Sequence, residues 1–216
     1  MELKDTYRHK GLRKRLIDTL YQKGIRDERI LQAFNLVPRH LFLDKAFEEW
    51  AYKDMAFPID AQQTISMPYT VAKQTELLEV QQGDKILEIG TGSGYQAAVL
   101  YQMGAKVYTI ERQKLLFYKT SKLLQDIGLT GIRALIGDGF EGAPRFAPFD
   151  KIIVTAGSNV LPIKLLDQLK IGGIMVIPMD SGNGQEMIRF VKRDKDKLSK
   201  ENHGPCAFVP MLEGVE

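Results

Sequence analysis

Through the first eighty residues, apolar positions recur at helical spacing. Leu12, Leu16 and Leu20 share one face with charged residues between them, which predicts an amphipathic helix. Asp27 stands where it would cap a second helix carrying Ile30, Leu31 and Phe34, and Pro38 ends that pattern. The stretch AYKDMAFPIDAQQTISMPYT from Ala51 to Thr70 has no clean period and reads as loop and turn. A helix follows from about Pro68 to Val80, with Pro68 near its first turn and Val71 and Leu78 on its inner face.

From residue 84 short β-rich runs alternate with helical segments. KILEIG precedes a helix from about Tyr95, and KVYTIE precedes one through Leu115 and Leu123. IRALIGD, KIIVTAG, a helix around LPIKLLDQL and the strand GIMVIPM complete the series. Such alternation predicts right-handed crossovers and an α/β fold with a doubly wound, mostly parallel sheet. Arg189 to Val191 and Cys206 to Met211 are expected as antiparallel edge strands, with a turn at Gly182-Asn183-Gly184 before them. The charged run VKRDKDKLSKEN reads as an exposed hairpin loop. One domain over residues 1–216 is expected: helical additions and an active-site loop over 1–80, and the sheet core over 81–216.

Composition changes this picture little. A hydrophobic fraction of 44% and a charged fraction of 26% are those of a globular chain, and a net charge of +3 is weaker than a dedicated nucleic-acid binder usually carries. Arg8, Lys10, Arg13, Lys14 and Arg15 read as the wet face of the first helix. With Cys206 alone no internal disulfide can form, which fits a reducing compartment. The opening residues have no apolar stretch after their charges, unlike a secretory signal, and no apolar run approaches the length of a bilayer span. A cytoplasmic monomer is expected, with neither nucleic acid nor membrane as partner and no metal.

The chemistry concentrates in Glu88-Ile89-Gly90-Thr91-Gly92-Ser93-Gly94-Tyr95, which ends a strand pattern and opens a helix. Glycines there permit a sharp turn and the close approach of a ligand. The spacing G-x-G-x-G is one residue tighter than the dinucleotide fingerprint. Glu88, at the strand end, suits the cationic part of S-adenosylmethionine better than a pyrophosphate. Glu111, about 20 residues beyond the loop, suits a ribose diol, a role that NAD sites share. Asp138, in Ile136-Gly137-Asp138-Gly139, suits an adenine amino group or caps a helix; taken with Glu88 and Glu111 it favours S-adenosylmethionine over NAD.

The chain resembles the protein-L-isoaspartate (D-aspartate) O-methyltransferases over nearly its whole length. The residues that carry the resemblance include Val37-Pro38-Arg39-His40, Gln63-Thr64-Ile65-Ser66, Pro68-Tyr69-Thr70-Val71-Ala72, Leu87 to Ala98, Ile110-Glu111-Arg112, Gly137-Asp138-Gly139 and Phe208-Val209-Pro210. The glycine loop matches many methyltransferases; QTIS with PYTVA, and the late FVP, are more specific to this family. The resemblance implies a Rossmann-like S-adenosylmethionine-dependent methyltransferase fold and a protein-repair reaction. A methyl group passes to the free carboxylate of an L-isoaspartyl residue in a damaged protein or peptide. The ester then collapses to a succinimide, whose hydrolysis restores some normal linkage. A carboxylic acid of pKa near ~4 is already ionised at neutral pH, so no strong general base is needed and the three histidines need no catalytic role.

The resemblance further implies Ser66 as the catalytic residue, with Thr64 and Ile65 beside it. Thr155, Ala156, Phe208 and Val209 are expected along the substrate. Glu88, Ile89, Gly90, Thr91, Gly92, Ser93, Gly94, Glu111, Arg112, Gly137, Asp138 and Gly139 are expected at the cofactor. Ser66 precedes a helix whose free N–H groups would favour an anion, although an ordinary N-cap explains a serine there too. One departure stands out. The family usually shows P-I-G-x-G before QTIS, whereas this chain has Pro58-Ile59-Asp60-Ala61-Gln62. If positive φ is needed there, Asp60 or Gln62 is strained by about a kilocalorie per mole, and Asp60 sets a negative charge near a carboxylate site. That leaves open a different acceptor, and also a module that binds the cofactor without catalysis.

Overall fold

The computed structural model describes residues 4–216. Helix α1 (Tyr7–Gln22) and helix α2 (Glu28–Leu36) open the chain. The Thr6 hydroxyl accepts from the backbone N–H of His9, whose ring returns the contact at the N–H of Thr6, so a histidine completes a capping box. Asp27 caps α2 as its position predicts, accepting from the N–H of Arg29. After two 3-10 turns come strands β1 (Phe57–Pro58) and β2 (Thr64–Ile65), then helix α3 (Pro68–Leu78). The core follows as β3 (Lys85–Ile89), α4 (Tyr95–Gln102), β4 (Lys106–Glu111), α5 (Lys114–Asp126), β5 (Arg133–Ile136) and β6 (Phe149–Val154). Helix α6 (Ile163–Asp167) and strands β7 (Leu169–Asp180), β8 (Gln185–Asp194) and β9 (Lys197–Cys206) end the series.

The main sheet has the order β5-β4-β3-β6-β7-β8-β9. Strands β3 to β7 run parallel, and β8 and β9 are antiparallel. The chain steps outward from β3 to β5 and returns beside β3 at β6, so the direction of winding reverses between β3 and β6. A crevice at the carboxyl ends of such strands is where open α/β sheets bind ligands. Side chains alternate across the sheet. Ile86, Val107, Ile153 and Val176 face the layer that holds Leu16 and Leu20 of α1, Ile30 of α2, and the inner faces of α3 and α4. Leu87, Ile152, Val154 and Met175 face the other layer, with Leu165 and Leu166 of α6.

Four expectations need correction. Arg13 does not lie on the wet face: it is buried, donating to both oxygens of Asp5 and to the Tyr52 hydroxyl. The loop expected over 51–70 contains the small β1–β2 hairpin, whose two-residue strands are too short to show alternation. The run from Val191 to Asn202 is mostly strand; only Lys195 and Asp196 form the turn between β8 and β9, and charged side chains suit an edge of this kind. The last strand ends at Cys206, so 207–211 continues as an irregular segment rather than an edge strand. In addition α3 stops two residues early, at Leu78, because Glu79 turns left-handed (φ 54°).

His40 has structural partners. One ring nitrogen meets the Tyr52 hydroxyl at 2.7 Å, the other lies 3.2 Å from the Lys4 carbonyl, and the ring stacks on His9 at 3.7 Å. Together with Arg13 it fastens α1 to the segment around Tyr52.

Candidate active site

The glycine loop after β3 needs its glycines. Gly90, Gly92 and Gly94 have φ of 94°, 51° and 85°. A β-carbon at Gly90 would stand 2.7 Å from the Thr155 hydroxyl, and one at Gly94 would stand 2.7 Å from a methyl of Thr120. The loop is fixed by polar contacts from three neighbours. Thr155 donates to the Gly90 carbonyl at 2.8 Å, Thr120 donates to the Gly92 carbonyl at 2.7 Å, and Gly92 N–H donates to Glu111 at 2.8 Å. Around it lies a cleft of about 900 Å³ including its open mouth, within the range of small-molecule sites.

Most of the residues expected from the sequence line this cleft. Ser66, Thr64 and Ile65 form one wall, Thr155 and Ala156 another, and Val209 closes over them. Glu88 to Ser93 form the floor, with Glu111, Arg112 and Gly139 at the far side. Phe208, Gly94, Gly137 and Asp138 stand outside the lining. Phe208 is tied by its backbone to both ends of the Gln185 amide, and Gly94 starts α4. Asp138 accepts from Phe140 N–H with one oxygen and from Gly214 N–H with the other.

Arg112 is also directed away from the cleft floor. Its guanidinium donates to the carbonyls of Gly214 and Glu213 and to the Glu216 carboxylate. The chain end therefore runs as a strap across the carboxyl ends of the strands, pinned by Gly157 to Val209 and Met211, by Asp138 and by Arg112. Pro210, Met211 and Leu212 line the cleft from this strap.

Glu88 is wholly buried in the middle of the sheet, and neither carboxylate oxygen has a hydrogen-bond partner. Burial pushes its carboxyl up to about 8, opposed by Thr109 and reinforced by the Glu111 charge. An unpartnered acid facing a cleft calls for a cationic N–H donor. Glu111 accepts one backbone N–H on each oxygen, from Gly92 and Gln113, which leaves lone pairs for hydroxyl donors. A buried acid without partners, a carboxylate with free lone pairs and a glycine-rich loop are what the ammonium, the ribose diol and the close approach of S-adenosylmethionine call for, and these residues fit it.

Near Ser66 the structure departs from the expectation in two ways. The N-cap of α3 is Met67, so Ser66 is not the ordinary cap. The N–H of Tyr69 donates at 2.8 Å to Asp54, so a carboxylate of the chain itself already stands at the positive end of the helix. In the 60–62 turn it is Ala61 and Gln62, both at φ 55°, that are left-handed, and not Asp60. Gln63 N–H closes the turn onto the Asp60 carbonyl, giving the φ signature of a type I′ hairpin with neither usual residue in place. The Asp60 carboxylate meets the ammonium of Lys119 on α5 at 2.5 Å, which draws its charge off the acceptor wall. Gln62→Gly is expected to stabilise the protein by a net ~0.5–1 kcal/mol, the relieved strain exceeding the added chain entropy. Urea unfolding with an unchanged slope measures this; a midpoint that falls rejects the strain.

Gln63, Gln74, Tyr95, Gln96 and Gln113 also line the cleft without having been singled out. For Gln74 and Gln96 a signal existed: each is an amide on the inner, otherwise apolar face of its helix.

A model of the protein-L-isoaspartate(D-aspartate) O-methyltransferase family matches residues 11–216. The protein-L-isoaspartate O-methyltransferase of Flavobacterium psychrophilum is 55% identical over 211 residues, spanning 98% of this chain and 99% of that one. That of Christiangramia forsetii is 53% identical over the same shares of the two chains. A solved protein-L-isoaspartate O-methyltransferase superimposes with a TM-score of 0.84 at 28% identity, covering 92% of this chain and 65% of its own. A Plasmodium falciparum structure in complex with S-adenosyl-L-homocysteine shares the fold, with a TM-score of 0.81 at 22% identity over 92% of this chain and 97% of its own. The glycine loop, the QTIS wall and this similarity along almost the entire sequence agree, and the chain belongs to the protein-L-isoaspartate O-methyltransferase family.

Proposed function

We propose that the cleft under α3 carries the family's reaction, with Glu88, Glu111 and the glycine loop holding the donor and Ser66, Thr64 and Ile65 holding the acceptor. The reaction is transfer of the methyl group of S-adenosylmethionine to the free carboxylate of an L-isoaspartyl residue in a damaged protein or peptide. Bound in the cleft, S-adenosylmethionine supplies a methyl group made electrophilic by its sulfonium. The carboxylate arrives ionised, so no residue has to remove a proton, and the side chains act by alignment and by excluding water. Ser66 donates its hydroxyl to one carboxylate oxygen and leaves the other free to attack. Thr155 and Ala156 flank the acceptor's backbone, and Val209, with Phe208 behind it, closes the far side. Arg112, Gly137 and Asp138 act on the donor at one remove, by holding Gly139 and the strap in position.

The observation that carries this reading is Glu88, buried and unpartnered in the same cleft as Ser66. The Asp60–Lys119 pair supports a carboxylate acceptor over a different one, since the charge that would oppose it is neutralised nearby. The proposal includes a cytoplasmic monomer with neither nucleic acid nor membrane as partner. Among the described residues no helix is long and apolar enough to cross a membrane.

Ser66→Ala tests the acceptor wall. Turnover on an isoaspartyl peptide is expected to fall about tenfold to a hundredfold, the worth of one hydrogen bond to a charged group. Affinity for S-adenosylhomocysteine, measured by calorimetry, is expected to stay within about twofold. Unchanged turnover removes Ser66 from the mechanism.

A further inference from the structure

Beside Glu88, two other buried side chains that line the donor's cleft carry an unpartnered oxygen. Gln74 on α3 is 1% exposed and Gln96 on α4 is 7% exposed, and both line the cleft. The Oε1 of each has no hydrogen-bond partner.

Neighbouring groups fix which end of each amide points inward. Gln74 Nε2 lies 2.9 Å from the Val154 carbonyl, which can only accept, so the nitrogen must be on that side. Gln96 Nε2 lies 3.0 Å from the Thr75 hydroxyl, whose own hydrogen goes to the Val71 carbonyl at 2.7 Å. Thr75 must therefore accept, and Gln96 must donate to it. Exchanging O and N in either amide would set two acceptors against each other.

The three side chains meet on one face of the sheet. Glu88 lies two residues beyond Ile86, on the face covered by the N-terminal helices, and pairs with Ile153 of β6, which belongs to the same layer. Gln74 comes down on that face from α3 and Gln96 from α4. The result is a group of acceptors, Glu88 Oε1 and Oε2, Gln74 Oε1 and Gln96 Oε1, with the Thr109 hydroxyl beside Glu88 on the neighbouring strand and no cationic side chain among them. A sulfonium or thioether has no N–H and a ribose has only hydroxyls. A primary ammonium has three N–H donors and a positive charge, and answers both the geometry and the acid.

We propose that Gln74 and Gln96, together with Glu88, form the cradle for the α-ammonium of S-adenosylmethionine, which sets the donor's orientation in the cleft. The proposal rests on S-adenosylmethionine being the donor. The two glutamines are binding residues that also tie α3 and α4 to the site: Gln74 through β6, Gln96 through Thr75.

The test is calorimetric binding of two ligands, S-adenosylhomocysteine and the same molecule without its α-amino group. Wild type is expected to prefer the amino ligand by at least about a hundredfold. In Gln74→Met and in Gln96→Met that preference is expected to shrink about tenfold, while affinity for the deaminated ligand stays nearly constant. Equal binding of the two ligands by wild type overturns the proposal without any variant. Variants that lose affinity for both ligands alike overturn it too, since the glutamines would then only shape the cleft. Binding of neither ligand by wild type would remove the donor reading as well.

Discussion

Replacing Glu88 with methionine is expected to give a protein that is harder to unfold and nearly unable to hold its methyl donor. In the ligand-free chain Glu88 is a buried acid with two unpartnered oxygens. Removing such groups with a side chain of similar shape relieves about 1–3 kcal/mol of desolvation. With donor bound, the same substitution leaves an ammonium buried without its counter-charge, which costs about 3–5 kcal/mol and weakens binding at least about a hundredfold. Stability and function therefore move in opposite directions at one residue.

The effect carries a pH signature. The Glu88 carboxyl is pushed by burial from an ordinary 4.5 up to about 8, so the folded chain holds a proton that the unfolded chain releases. The stability this gives is complete below about 4.5 and is lost as pH rises through about 8. Over that window the ligand-free wild type is expected to lose several kcal/mol that Glu88→Met does not lose. The groups beside Glu88 on neighbouring strands are Thr109, which does not titrate, and Glu111, whose charge opposes ionisation. Donor binding near pH 7 is then expected to release a proton and to tighten toward pH 8, measured by calorimetry in buffers of different ionisation heat. Stability parallel to that of Glu88→Met across the window would reject the buried proton.

Arg39→Lys is expected to be the most damaging conservative substitution outside the cleft. Arg39 is wholly buried, donates from Nε to the Ala51 carbonyl at 3.0 Å and from Nη2 to the Met55 carbonyl at 3.3 Å, and lies over the Tyr95 ring at 4.8 Å. Burial pulls its guanidinium down to about 10, still charged at neutral pH. Lysine can keep the charge but cannot make both bonds in a plane over the ring. A loss of about 3 kcal/mol is expected, lowering the thermal midpoint by roughly 6–12 °C. The segment that Arg39 holds carries Asp54, which caps α3 at Tyr69, so the acceptor wall starts from this anchor. Turnover is therefore expected to fall more than donor affinity. An unchanged midpoint would show that the two carbonyls find other donors.

The parts of this site that were legible in the sequence are those with a period or a punctuation. KILEIG and KVYTIE read as strands because they are largely apolar on both faces, as central parallel strands must be, and GTGSG reads as a turn because its glycines adopt left-handed φ values at little cost. The edge of the sheet was less legible. Much of VKRDKDKLSKEN lies in the turn and in the edge strand β9, where exposure to water tolerates charge, while Lys192 on β8 is buried and donates to the Leu166 and Leu169 carbonyls; that composition imitates a loop. Buried polar residues were the hardest to see. Arg13, Gln74 and Gln96 lie inside because partners distant in sequence receive them: Asp5 and Tyr52, the Val154 carbonyl, and Thr75. Asp138 shows the converse, since its carboxylate meets a strap whose path no local pattern announces.

The most direct measurement is transfer of labelled methyl from S-adenosylmethionine to two peptides that differ only in one linkage, L-isoaspartyl or normal L-aspartyl. Base-labile label on the isoaspartyl peptide alone is the predicted result, and it would show that the Asp60–Ala61–Gln62 turn is compatible with the repair reaction. Label on neither peptide, with S-adenosylhomocysteine binding intact, would contradict it and direct the search to another acceptor at the Ser66 wall.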